Sequence, residues 1–135
     1  MLDLIKECED TINTLTEQSE NIGTQLDSLD QEMHLGSVSF DLSKDLSLKQ
    51  KLYMWGLLSS RLAGAELSKD DELIEACKAD IDRAYEIKTL KTMLNNLREE
   101  KHSYIDFLIE ARALLTNDEK RNELDAKFKA FKDEE

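Results

Sequence analysis

No proline interrupts this chain of 135 residues, where average usage near 5% would supply about 7. Proline is the residue that most surely ends a helix, and only 4 glycines stand in for it. A chain this poor in turn formers is a bad candidate for an all-β sandwich or a loop-rich active site. Its 36% charged and 40% hydrophobic residues suit long amphipathic helices. The expectation is an all-α protein, an elongated helical bundle or coiled coil, formed by a single domain over residues 1–135.

Apolar spacing divides the chain. Ile5, Cys8, Ile12, Leu15, Ser19, Ile22, Leu26, Leu29 and Met33 recur at alternating intervals of three and four, a heptad seam. Residues 1–35 therefore read as one acidic coiled-coil helix about 50 Å long, closed by Gly36 as a left-handed cap. Residues 36–46 form a connector in which Val38, Phe40 and Leu42 alternate, allowing a short extended piece. Ser47 and Gln50 spell a capping box for a second helix over 47–66, with Leu48, Leu52, Trp55, Leu58 and Leu62 as its inward stripe. Gly56, Ser60 and Gly64 beside that stripe predict the close approach of another helix.

Ser68 and Asp71 offer a weaker cap, and no breaker follows until Thr116. One spine helix over 69–115 results, about 70 Å long. Between Cys77 and Leu94 its apolar spacing stammers, which predicts a change of packing partner near Ala84 to Leu90. Thr116 and Glu119 form another capping box for a last helix over 117–132, with Leu124, Phe128 and Phe131 on its apolar face. Short turns fold the outer helices back, so that helical hairpins fill residues 47–135 with a shorter helix against each half of the spine.

Charge and chemistry narrow the function. The chain carries 30 acidic and 18 basic residues, the wrong balance for gripping nucleic acid phosphates. Residues 1–34 hold nine carboxylates and one lysine, and no basic residue flanks the seam to support a parallel homodimer. No apolar run reaches the roughly 18 residues of a membrane span, and the N-terminus does not read as a signal peptide; a cytoplasmic location is expected. Cys8 and Cys77 fall on apolar stripes and read as free buried thiols. Glu99 and His102 make a single Glu-x-x-His, whereas a ferritin-like di-metal site needs two. With no glycine-rich phosphate loop and no Cys-x-x-Cys, the chain reads as a non-enzyme without cofactor or metal.

Residues 110–125, Glu-Ala-Arg-Ala-Leu-Leu-Thr-Asn-Asp-Glu-Lys-Arg-Asn-Glu-Leu-Asp, resemble the last two helices of J-domain co-chaperones. That family acts through a His-Pro-Asp tripeptide, which a chain without proline lacks. Residues 15–20, Leu-Thr-Glu-Gln-Ser-Glu, are similar to the glutamine-centred SNARE motif, but centring on Gln18 would put Gln25 and Glu32 on the seam. No residue role is carried over from either family.

The function expected is that of a protein–protein interaction module: an adaptor, tether or scaffold subunit acting through helical surfaces. Its candidate interface is Ile5, Ile12, Leu15, Ile22, Leu26, Leu29 and Met33, meeting another protein with a helical or basic surface, or a second copy through the first helix. The alternative is a small acidic inhibitor that mimics nucleic acid in a partner's basic groove. A charge placed at Ile12 or Leu26 separates two cases: lost binding marks an interface, and unfolding marks a core.

Overall fold

The computed structural model describes residues 2–114 and 118–134. Four helices dominate: α1 (Leu2–Asp27), α2 (Leu48–Ser68), α3 (Asp71–Leu114) and α4 (Asp118–Glu134). Between α1 and α2 lie two short strands, β1 (Glu32–Leu35) and β2 (Val38–Asp41), paired antiparallel. The all-α expectation is met, with the long helix α3 packed against the others.

The chain gathers into two compact units, one of Met1–Asn21 with Leu94–Glu135 and the other of Ile22–Met93. In the first, Ile5 and Cys8 of α1 are buried with Leu108 and Ala111 of α3, and Ile12, Tyr104, Phe107 and Leu124 pack around them. The Phe107 and Phe128 rings, 5.3 Å apart, join α3 to α4. Glu9 of α1 pairs with Arg112 of α3, and Glu7 pairs with Lys132 of α4 at 2.9 Å. The expected capping box at Thr116 and Glu119, and Leu115 before it, lie outside the described side chains.

The second unit corrects the sequence reading at its start. Instead of running to residue 35, α1 stops at Asp27. Leu29 N–H turns back to the Leu26 carbonyl, Gln31 Nε2 donates to that same carbonyl at 3.1 Å, and Asp30 Oδ1 accepts from the Glu32 amide at 3.0 Å. The chain then enters β1, where Met33 pairs with Phe40 and Leu35 with Val38. The physical reason is a period of two hidden inside the heptad: Met33, Leu35, Phe40 and Leu42 are all buried, while Glu32 and His34 stay outside. Gly36, at φ +68°, is therefore the turn of a hairpin and not a helix cap; a positive φ at the first turn position is what Gly-Ser supplies in a II′ turn. Of the connector, the alternation of Val38, Phe40 and Leu42 survives, as β2 and the residue after it.

The Ser47–Gln50 capping box of α2 is present in both directions. The inward face of α2 differs from the expected stripe: Met54, Leu58 and Ala65 are buried, whereas Leu48 and Leu52 are exposed. Tyr53 meets the Phe40 ring at 5.9 Å and Trp55 meets Tyr85 of α3 at 4.7 Å. These ring contacts fix the helix on either side, and at 100° per residue the arc between them centres on Met54 and Leu58. Among the described residues no helix comes close at Gly56 or Gly64, where an added Cβ would meet nothing within 4 Å. Lys69 in the left-handed conformation ends α2, and Asp70, not Ser68, caps α3 by accepting from the Leu73 amide at 3.1 Å. Ser68 turns its hydroxyl back to the Gly64 and Ala65 carbonyls instead.

Along α3 the partner does change. Its first part faces α2 and the hairpin, down to Lys91 bonding the Leu42 carbonyl at 2.6 Å. The change lies past Lys91, just beyond the expected Ala84 to Leu90.

Candidate functional site

The expected interface is covered by the chain itself. Ile5, Leu15, Ile22, Leu26 and Met33 are buried, Met33 completely at 0% exposure, while Ile12 and Leu29 are half-buried. Leu29 and Met33 also lie beyond the end of α1. Ser19, the polar member of the seam, donates its hydroxyl to the Leu15 carbonyl at 2.8 Å, so it too is satisfied locally. The heptad spacing is real, and it serves packing inside the fold.

Chemistry-bearing residues are also absorbed locally. Nδ1 of His34 lies 2.8 Å from the Ser39 hydroxyl and its Nε2 3.2 Å from Glu32; it sits on β1, not in a last helical turn. His102 pairs with Asp106 at 3.4 Å rather than forming a Glu99–His102 ligand set. Among the described residues no group of three or more His, Cys, Asp or Glu side chains could hold a metal ion.

Within the first unit, α1, α3 and α4 line an open groove of about 500 Å³. Cys8, Tyr104, Phe107, Leu124, Phe128 and Phe131 make it largely apolar, with Lys127 and Lys132 at its margin. The Lys132 ammonium is held by Glu7 at 2.9 Å and lies 5.8 Å over the Phe128 ring. Burial pushes the Cys8 thiol up from its ordinary 9.0, and the Glu7 and Glu9 carboxylates push it further in the same direction. A thiol kept protonated at neutral pH is a poor nucleophile. Thr11 and Ser103 spend their hydroxyls on the Glu7 and Glu99 carbonyls one helical turn back. The groove suits an apolar group.

A second surface feature lies on the outer side of α2. Leu48, Lys49, Leu52, Gly56, Ser59, Ala63, Glu66 and Leu67 are all exposed, with Leu48 at 73%, Leu52 at 65% and Leu67 at 86%. At 100° per residue they fall on one side of the helix, opposite buried Met54, Leu58 and Ala65;. Small side chains occupy the middle, leucines both ends, and the only charges on this strip are Lys49 and Glu66. Sequence reasoning missed the face because it assigned Leu48 and Leu52 to the core; the ring contacts of Tyr53 and Trp55 are what turn them outward. Compared with protein-family models, curated proteins and solved structures, the chain matches none of them.

Proposed function

We propose that this chain is a non-enzymatic protein–protein interaction module of the cytoplasm, an adaptor or scaffold subunit that meets a partner helix through the outer face of α2. The observation that carries the reading is three leucines more than half exposed on one side of a single helix among the described residues. Single exposed leucines are ordinary, but an aligned set along one helix is what a helix-binding surface looks like. Small residues between them would let a partner backbone come close. The nucleic-acid mimic is the weaker reading, because Glu7 and Glu9 of the acidic first helix are already engaged by Lys132 and Arg112.

A photo-crosslinking residue placed at Leu52, and separately at Leu67, tests this in the living cell against the same residue at exposed Glu86 of α3. Discrete adducts from the two α2 positions and none from Glu86 are expected. Equal labelling at all three positions, or none, would overturn the proposal.

A further inference from the structure

The outer face of α2 is complementary to itself. We infer that it pairs with the same face of a second copy of this chain, with the two helices antiparallel and centred between Leu57 and Leu58. This deepens the reading of α2 as an interaction surface and rests on it.

The argument is one of register. Lys49, Leu52, Gly56, Ser59, Ala63 and Glu66 follow one another at intervals of three, four, three, four and three, the seam of a two-helix pair. All six are exposed. Any such seam can be laid against an antiparallel copy so that each position meets another seam position. What distinguishes this one is which residues then meet. Lys49 faces Glu66 of the second copy, Leu52 faces Ala63, and Gly56 faces Ser59. Each layer joins opposite charges, a large side chain to a small one, or two small ones, and the symmetry makes every layer occur twice. Leu48 and Leu67 flank the end layers, where their exposed side chains would be covered.

Charge decides between this occupant and a parallel copy. A parallel pairing would set Lys49 on Lys49, Glu66 on Glu66 and Leu52 on Leu52 while leaving an open gap at Gly56. In the antiparallel pairing the only two charges of the seam neutralise each other. The site is also the favourable place for contact in a chain of net charge −12, since α2 carries three cations and one carboxylate. At physiological salt, screening over about 8 Å confines the repulsion between the remaining surfaces. One pair of helices about 30 Å long lies at the small end of specific interfaces, so association in the micromolar range is expected.

Sedimentation equilibrium of the full chain from about 5 to 500 µM tests the inference, and a reversible monomer–dimer equilibrium is expected. Leu52→Glu should weaken it at least tenfold with an unchanged circular dichroism spectrum. Lys49→Glu and Glu66→Lys should each weaken it several-fold, because each creates two like-charge contacts, and the double exchange should restore it to within about twofold. A misfolded variant cannot mimic that restoration. For direction, Leu52→Cys and Ala63→Cys chains mixed under mild oxidation should cross-link to each other in preference to themselves; preferential 52–52 linkage would mean a parallel pair and would overturn the register. A chain that stays monomeric at 500 µM, or a dimer indifferent to Leu52→Glu, also defeats it. If the chain is monomeric but photo-adducts still form at Leu52, self-pairing falls while the interaction face stands.

Discussion

Arg83 of α3 donates from Nη1 to the backbone carbonyl of Glu32 at 2.8 Å, so a helix side chain holds the first strand of the hairpin by its main chain. The same guanidinium reaches the Asp30 carbonyl and, through Nη2, the Asp80 carboxylate at 3.1 Å. Two turns further on, Lys91 donates to the carbonyls of Leu42 and Lys44 at 2.6 and 3.1 Å. One cation thus anchors the approach to β1 and the other the exit from β2. Replacing Arg83 by Ala should cost about 1.5–3 kcal/mol, the range for hydrogen bonds to a charged group, read as a lower thermal midpoint by circular dichroism. The loss should be concentrated at the hairpin, so amide exchange at Met33 and Phe40 should accelerate more than exchange at Leu108. Uniform acceleration would refute the anchoring role.

Asp41 ends β2, and its carboxyl is held below the ordinary 3.8, first by the Ser43 hydroxyl, then by the Ser43 amide, with smaller help from Lys44 and Lys91. A depressed carboxyl stabilises the fold above its unfolded value, and that contribution disappears as pH falls through the lower folded value. Ser43→Ala removes the largest cause. The Asp41 carboxyl of this variant, followed by NMR titration, should move back up toward 3.8. An unchanged titration would mean that the amide and the lysines suffice.

How much of this was legible in the sequence depends on the range of the interaction. The Ser47–Gln50 box, the long uninterrupted α3 and the fold class follow from neighbours within a few residues, and periodicity finds them. The hairpin was legible only in part. Met33 satisfies both a heptad and a two-residue alternation, and the longer pattern masked the shorter. What decides between them is Arg83 and Lys91, about fifty residues away, and no local pattern contains that. The rotation of α2 is similar: Leu48, Leu52 and Leu58 form a good stripe on paper, but contacts from Phe40 and Tyr85 choose the neighbouring arc. The outer face of α2 could have been found from its own spacing of three and four, had the inner stripe not claimed two of its leucines.

Glycine separates conformation from space. At Gly36 an added Cβ meets nothing, but φ is +68°, so Gly36→Ala should destabilise by about 1–2 kcal/mol through the left-handed backbone alone. At Gly64, inside α2 with equal space and outside the proposed seam, Gly64→Ala should stabilise by about 0.5–1 kcal/mol. Urea denaturation of both variants checks the pair; the same sign at both sites would contradict the assigned turn.

Cys8 and Cys77 are free and buried, so a thiol reagent should label the folded chain far more slowly than the chain in denaturant. Cys8 adds a pH dependence. Its folded value is raised above the ordinary 9.0, so between the two values the folded state holds the proton more tightly than the unfolded state. Stability should therefore be unaffected by this group below about pH 9 and fall as pH rises beyond it. Cys8→Ala should flatten that alkaline decline, seen as urea midpoints from pH 8 to 10.5, even though the lost packing lowers stability throughout. An alkaline slope identical to that of the parent would assign the decline to other groups.

Leu26 and Leu52 make the sharpest contrast between core and surface. Both are leucines on amphipathic helices, yet Leu26 is buried and Leu52 is 65% exposed. Removing a buried leucine side chain costs about 2–5 kcal/mol, and a carboxylate left in its place adds a desolvated, unpaired charge. Leu26→Asp should accordingly lose its helical circular dichroism at 25 °C or melt many degrees lower. Leu52→Glu should melt within a few degrees of the parent, as surface substitutions do. Were Leu26→Asp to fold normally and only lose an association, the first-helix seam would be an interface after all, and the assignment of α1 to the chain's own core would have to be abandoned.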